Sequence, residues 1–236
     1  MLNIVTIQTI TRQFNTSFCF KYAVKINNFL GGQMISNNYN YNYNLNFGQK
    51  YRVILTKKCP RQCLDCINTF DPVISKAKKI KLDQIKSSGD DIILTGGEPG
   101  IYPYLEEVVE KLRGQNPDAK MFIYSALANK KIIDILPKVD GLSFTLHDDA
   151  SELDIASFLK LQKRMKELKT QYPEKSYRLY IDSRLEKEFP IEENLYTRVN
   201  KIKWMNEEEI LAQKDRNFGC PADEELVLLD NTSLEK

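Results

Sequence analysis

The hydrophobic positions of this chain follow a regular alternation from residue 51 onward. Short apolar runs, rich in β-branched and aromatic residues, predict strands, and apolar residues at helical spacing between them predict helices. The six predicted strands cover residues 51–56, 91–95, 121–125, 142–146, 177–182 and 201–204. Strands that alternate with helices in this way favour right-handed βαβ units and a parallel sheet.

The two clearest predicted helices lie between these strands. One has apolar residues at i, i+3, i+4 and i+7, with Pro103 near its start and Gly114 at its end. The other opens with Ser151 and Asp154, which resemble a capping box. The apolar stripes consist of Leu105, Val108, Val109 and Leu112 in the first helix and of Phe158, Leu161, Met165 and Leu168 in the second. Six βα units are fewer than the eight of a closed barrel, so we predict an α/β fold with a partial (β/α)6 barrel.

The same pattern predicts three parts of the chain. Residues 1–50 form an N-terminal β-rich extension that includes an Asn/Tyr-rich linker at 37–46. Residues 51–205 form the core. Residues 206–236 form a C-terminal extension, for which a cap over the active site is one candidate role.

Composition and charge narrow the class of protein. Hydrophobic residues make up 42% and charged residues 28% of the chain, as in ordinary soluble globular proteins. The chain contains no run of eighteen apolar residues that would predict a membrane span, so we expect no membrane partner. The cysteine usage described next leads us to expect a cytoplasmic protein. All 32 acidic residues lie after residue 64, whereas eight of the 34 basic residues lie before it. Such asymmetry can mark a polyanion-binding arm. The basic residues before position 50 are sparse, however, which favours the interpretation that Lys57, Lys58 and Arg61 offset the negative charge of the thiolates described next.

Three of the five cysteines, Cys59, Cys63 and Cys66, are crowded directly after the first predicted strand. Crowded thiols fit a reducing compartment and a metal centre better than a disulfide framework. Three thiolates are one ligand short of a closed zinc site and of an all-cysteine 4Fe–4S site. The spacing therefore indicates a cluster with one iron open to another ligand, and the distant Cys19 and Cys220 are interpreted as inert thiols.

A second motif is expected beside the cysteines. In open parallel sheets and barrels, ligands bind where the strands end. Gly96, Gly97, Glu98 and Pro99 follow the second predicted strand. The glycines permit a close backbone approach to a ligand, and Glu98 brings a negative charge.

The C-x3-C-x2-C spacing, followed about thirty residues later by Gly-Gly-Glu-Pro, resembles the radical S-adenosylmethionine superfamily over roughly residues 51–205. The resemblance implies a single 4Fe–4S cluster held by Cys59, Cys63 and Cys66, with S-adenosylmethionine on the open iron. It also implies an external one-electron reductant of the flavodoxin or ferredoxin type. Reductive cleavage of S-adenosylmethionine would then give a 5′-deoxyadenosyl radical that abstracts hydrogen from a substrate.

The resemblance also implies roles for residues at the strand ends. The predicted cofactor-binding residues are Gly96, Gly97, Glu98, Pro99, Asp65, Ser125, Thr145, Asp182 and Arg184. Asp65 stands where the family usually has an aromatic residue, which leaves its backbone for the adenine contact. Asp182 and Arg184 could equally form an ion pair. His147, the single histidine, is the candidate catalytic residue, with simple packing as the alternative.

Several functions stay open at this point. The substrate class is a small molecule, a nucleobase or a protein, and short family members include glycyl-radical activases and 7-carboxy-7-deazaguanine synthases. A rival class is a non-enzymatic iron–sulfur or zinc-binding protein, the zinc form using Cys220 as a fourth ligand. A third hypothesis is nucleic-acid binding by the acid-free N-terminal segment, which predicts salt-dependent affinity.

Overall fold

The computed structural model describes residues 50–61, 63, 66, 75, 77–87, 91–204, 206, 208–209, 212 and 224–233. The chain divides into two units, Met1–Asn44 and Leu45–Lys236, and every described residue belongs to the second. The predicted N-terminal extension up to residue 49, Asp65, Cys19 and Cys220 all lie outside the described residues.

Within the described residues, eight strands form one parallel sheet. The strands are β1 (Lys50–Ile54), β2 (Lys78–Lys81), β3 (Ile92–Thr95), β4 (Met121–Ser125), β5 (Gly141–Leu146), β6 (Ser176–Asp182), β7 (Arg198–Ile202) and β8 (Glu224–Asp230). Their order is β2-β8-β1-β3-β4-β5-β6-β7, and every neighbouring pair is parallel. The predicted α/β parallel sheet is confirmed, and its unclosed form agrees with a partial barrel.

Two of these strands were not among the six predicted from the sequence. Strand β2 reads Lys-Lys-Ile-Lys and has one apolar residue, so it gave no hydrophobic signal, and it lies at the outer edge of the sheet. Charged side chains are typical of such edge strands because they discourage further pairing. Strand β8 falls inside the predicted C-terminal extension, yet it lies within the sheet, where it pairs with β2 on one side and with β1 on the other. The sheet therefore extends beyond residue 205.

Three α-helices connect the central strands of the described part: α1 (Leu105–Gln115), α2 (Lys130–Ile135) and α3 (Glu152–Gln171). The predicted apolar stripes of α1 and α3 are buried throughout. The predicted capping box of α3 is also present, since Ser151 and Asp154 exchange hydrogen bonds between side chain and backbone. Helix α1 runs one residue past Gly114, and the Asn116 side chain donates to the Leu112 carbonyl at 3.0 Å.

The helices pack against one face of the sheet. Strand residues of the hydrophobic core share a face by register, as in the row Val53, Leu94, Ile123, Leu142 and Tyr177. Side chains of all three helices belong to the same core. On the opposite face, many strand residues are only half-buried. None of the helices described is long and apolar enough to cross a membrane.

Candidate functional site

The cysteine loop follows β1 at the edge of the sheet where the strands end, which we call the carboxyl edge. Cys59, Cys63 and Cys66 are all free thiols; Cys59 is exposed and the other two are half-buried. Among the described residues, no three His, Cys, Asp or Glu side chains are arranged so that they could hold a metal ion. The donor type still suits iron and zinc, because both metals accept thiolate sulfur.

Burial and neighbouring negative charges raise the pKa of two thiols of this loop, Cys59 and Cys63. Burial raises the pKa of Cys63 to about 12, and the negative charges of Asp149, Cys66 and Cys59 add to this effect. Burial likewise raises the pKa of Cys59. Metal ions bind the thiolate form and release its proton. Three neighbouring thiols whose charges oppose one another are a donor set that a bound cation would stabilise, so the residue types fit a metal centre.

Gly96 and Gly97 approach the cysteine loop more closely than any other residue type could. A Cβ atom on Gly97 would lie 2.1 Å from the Lys58 carbonyl oxygen, and one on Gly96 would lie 2.6 Å from that of Thr56. Gly96 also has φ of +150°, which favours glycine. The Gly97 amide donates to the Thr56 carbonyl at 2.6 Å. The glycines thus fix the cysteine loop against the end of β3, a role that the sequence alone did not indicate.

Glu98 is buried, with an exposed fraction of 2%. Its carboxylate accepts hydrogen bonds from the Gly100 amide and the Ser125 hydroxyl, both at 2.7 Å, and from the Ala126 amide at 2.9 Å. Burial raises the pKa of Glu98, although these hydrogen bonds and the charge of Arg61 oppose the shift. Glu98 therefore joins the ends of β3 and β4. Its side chain also caps the short 3-10 turn that begins at Pro99.

Arg61, between the first two cysteines, crosses the carboxyl edge. Its side chain is 9% exposed. Its Nη1 atom donates to Asp149 at 2.8 Å, Nη2 donates to Asp154 at 2.7 Å, and Nε donates to the Ala126 carbonyl at 3.2 Å. The charge of Arg61 is thus paired with two carboxylates, and its side chain ties the cysteine loop to the ends of β4 and β5.

Asp182 and Arg184 form an ion pair with each other. Asp182 is fully buried, and its Oδ1 and Oδ2 atoms accept from Arg184 Nε at 2.9 Å and Nη2 at 2.7 Å. Hydrogen bonding to Arg184 holds the pKa of Asp182 below its ordinary value. The structure therefore contains the ion pair that the sequence left as an alternative, and a contact of either residue with a cofactor stays a prediction.

His147 follows β5 and stacks on Trp204, with ring centroids 5.3 Å apart. Within the described part of the chain, His147 Nδ1 and Trp204 Nε1 are buried and have no hydrogen-bond partner. Burial lowers the pKa of His147, as does the charge of Arg61, while Asp149, Asp182 and Asp148 oppose the shift. Thr145, two residues earlier on β5, is half-buried.

The carboxyl edge thus gathers most of the residues that the sequence predicted for the site. Those described there are Cys59, Cys63, Cys66, Gly96, Gly97, Glu98, Pro99, Ser125, Thr145, His147, Asp182 and Arg184. The sequence analysis assigned no role to Asp149 or Trp204, interpreted Arg61 only as a counter-charge and interpreted Asp154 only as a helix cap. The position of Arg61 between two cysteines was the sequence feature that could have indicated its contacts at this edge.

The fold and the site define an α/β protein with an open parallel sheet and a three-cysteine loop at its carboxyl edge. No protein-family model matches the chain, and no curated protein matches it. Solved structures that resemble it include Streptococcus suis SuiB bound to S-adenosylmethionine, with 15% identity and a TM-score of 0.44 over 69% of this chain and 40% of that chain. SuiB bound to the precursor peptide SuiA gives 15% identity and a TM-score of 0.43 over 67% and 40% of the two chains. The aligned part of this chain therefore spans about 40% of the length of SuiB, which is a distant structural neighbour.

Proposed function

We propose that this protein is a radical S-adenosylmethionine enzyme. The observation that carries the proposal is the joining of two motifs at one edge: the loop with three free cysteines is hydrogen-bonded to Gly-Gly-Glu-Pro through the Gly97 and Glu98 amides. Cys59, Cys63 and Cys66 would hold the cluster. When bound, a 4Fe–4S cluster with an open iron supplies the electron that cleaves S-adenosylmethionine, giving a 5′-deoxyadenosyl radical that abstracts hydrogen from the substrate.

The residues of the chain itself position this site. Gly96 and Gly97 hold the cysteine loop against β3, and Arg61 holds it against the ends of β4 and β5. Glu98 keeps the ends of β3 and β4 together through its three hydrogen bonds. A rigid edge of this kind favours one orientation of bound groups, which is how a protein directs cofactor chemistry.

Predicted contacts with S-adenosylmethionine belong to the same proposal. The backbone of residues 96–98 and the Ser125 and Thr145 hydroxyls lie along the edge where the cofactor would bind. His147 is proposed to meet the substrate or to transfer a proton, since its Nδ1 atom has no partner among the described residues. The electron is proposed to come from a flavodoxin or ferredoxin.

The proposal is tested by anaerobic reconstitution with iron and sulfide, followed by S-adenosylmethionine and dithionite. We expect a brown protein with about four irons per chain and the formation of 5′-deoxyadenosine. Replacement of Cys59, Cys63 and Cys66 by Ala should abolish both, whereas replacement of Cys19 by Ala should abolish neither. A colourless protein that binds one zinc and forms no 5′-deoxyadenosine would instead support the zinc-binding alternative.

A further inference from the structure

The two faces of the sheet differ in the side chains that they carry. Residues paired in register on parallel strands point to the same side. Tyr124, Ser143, Arg178 and Arg198 form one such row across β4 to β7. This row lies on the face opposite the helices, because its residues alternate along the strands with the core residues Ile123, Leu142, Tyr177 and Leu179.

We call this second face the open face, and on strands β4 and β6 its side chains are polar and aromatic. Phe122, Tyr124, Arg178 and Tyr180 on it are half-buried. Parallel sheets usually have both faces covered by helices. Here the three helices described share a core with strand residues of the other face alone. A half-buried face with arginine and aromatic side chains has the composition of a binding surface rather than of a core.

The charges on the open face are not balanced. Arg52 on β1 pairs with Glu224, from its Nη2 atom to Oε2, at 2.7 Å. Arg178 and Arg198 are neighbours in the register of β6 and β7, and no acidic side chain in the described ranges forms an ion pair with either. The Arg178 guanidinium instead lies 5.9 Å from the centre of the Phe122 ring. A guanidinium binds carboxylate and phosphate groups through two parallel hydrogen bonds.

The open face continues to the proposed active site. Two residues beyond Arg178, Tyr180 lies in a row with Thr145 and Asn200. Two residues further, β6 ends at Asp182, level with the carboxyl edge. At about 3.3 Å per residue, Arg178 is roughly 13 Å below that edge along the strand.

We propose that Arg178, with the Phe122 ring under its guanidinium and Tyr180 two residues along β6, binds the anionic group of the substrate. This inference rests on the proposed function, because it identifies the open face as the substrate surface of the same site. The substrate class is then an extended small organic molecule that bears a carboxylate or phosphate at one end. Its other end reaches the carboxyl edge, roughly 13 Å away from Arg178 by the strand rise.

The test measures anion binding by the full-length protein without metal or S-adenosylmethionine. Benzoate and phenyl phosphate are titrated as probes, and uncharged benzyl alcohol serves as the reference, with Kd values from ligand-detected NMR. We expect at least one anion to bind ten-fold or more tightly than benzyl alcohol, and the tighter of the two identifies the carboxylate or phosphate form. Arg178→Met should remove this preference, and Arg178→Lys should reduce it.

Arg164→Met is the matched control, because Arg164 lies on α3 and pairs with Glu167 at the surface. It should bind both anions like the wild type. The proposal fails if Arg178→Met and Arg178→Lys, each folded by circular dichroism, bind the anions as tightly as the wild type. It also fails if neither anion binds better than benzyl alcohol. Because no cluster is present in this experiment, these outcomes are independent of 5′-deoxyadenosine formation, which tests the proposed function separately.

Discussion

Arg61 Nη2 lies 2.7 Å from Asp154 Oδ1, so the cysteine loop is bound to the first turn of α3. Asp154 has two roles. Its Oδ1 atom accepts from Arg61, and its Oδ2 atom accepts from the Ser151 amide and hydroxyl in the capping box. Burial tends to raise the pKa of Asp154, but the hydrogen bonds from Ser151 and the charge of Arg61 hold it below its ordinary value. One carboxylate thus couples the capping of a helix to the position of the proposed metal ligands.

This pairing predicts unequal coupling energies for the two carboxylates that Arg61 contacts. The Asp154 side chain is 26% exposed and that of Asp149 is 44% exposed. A double-mutant cycle with Arg61→Gln and Asp154→Asn should give about 1–2 kcal/mol of coupling in the free energy of unfolding. The matched cycle with Asp149→Asn should give less than about 0.5–1 kcal/mol, because solvent screens exposed pairs.

Urea unfolding of the metal-free protein measures both cycles. Arg61→Gln should also let the cysteines react faster with a thiol reagent, since the loop loses its hold on β4 and β5. Equal coupling energies in the two cycles, together with unchanged thiol reactivity, would show that Arg61 does not position the loop.

The close packing at Gly97 predicts that a larger residue there lowers the stability of the protein. Gly97→Ala would place Cβ 2.1 Å from the Lys58 carbonyl oxygen, a backbone atom that cannot rotate away. We expect a loss of about 2–3 kcal/mol in the free energy of unfolding, as for other overpacked sites, and lower iron uptake on reconstitution. Gly114→Ala is the control, because a Cβ there meets no described atom within 4 Å. On an exposed helical position it should stabilise the protein by about 0.5–1 kcal/mol. A Gly97→Ala protein as stable as the wild type, with normal iron content, would contradict the close approach.

The sequence predicts the fold where hydrophobic spacing and strand rhythm dominate. The buried row through Val53 and Ile123 belongs to strands that are apolar on at least one face, and the helices of Leu105 and Phe158 have regular stripes. Strand β2 is stabilised by pairing with β8 and has only Ile80 to bury. Its existence depends on a partner about 150 residues away, which a local pattern does not encode.

The part of the site that could be predicted from the sequence is the set of residues that follow the strands, because the topology brings the strand ends together. Neighbouring parallel strands end at one edge, so Cys59 and Gly97 were expected to meet there. The partners of Glu98 and Arg61 were not predictable, because a side chain 27 or 93 residues away can be reached only once the strand order is known. The open face was missed for a related reason: Arg178 is placed beside Arg198 by register, and register is a property of pairs of strands.

Lys175 predicts a loss of stability that is unrelated to the candidate site. It is 6% exposed, and its Nζ atom donates to the carbonyls of Leu136, Pro137 and Val139 at 3.0, 3.2 and 2.5 Å. Lys175→Met should cost about 2–3 kcal/mol in the free energy of unfolding, because buried carbonyls lose their donors. Lys111→Met removes an exposed pair with Glu107 and should cost less than about 0.5 kcal/mol. Thermal and urea unfolding compare the two variants, and equal losses would show that the Lys175 contacts are not stabilising.

The single histidine predicts a pH dependence that can be observed directly. Burial, with the charge of Arg61, lowers the pKa of His147 in the folded chain below its ordinary value of about 6.5. Between the folded pKa and about 6.5, the unfolded chain binds more protons, so stability falls as the pH is lowered through this window and His147 contributes no further change below it. The one histidine Hε1 resonance of the metal-free protein should therefore titrate below 6.5. In His147→Gln, the fall in the free energy of unfolding that His147 causes between pH 6.5 and its measured pKa should be absent. A resonance that titrates at or above 6.5 would mean that His147 is not buried against Trp204 in solution.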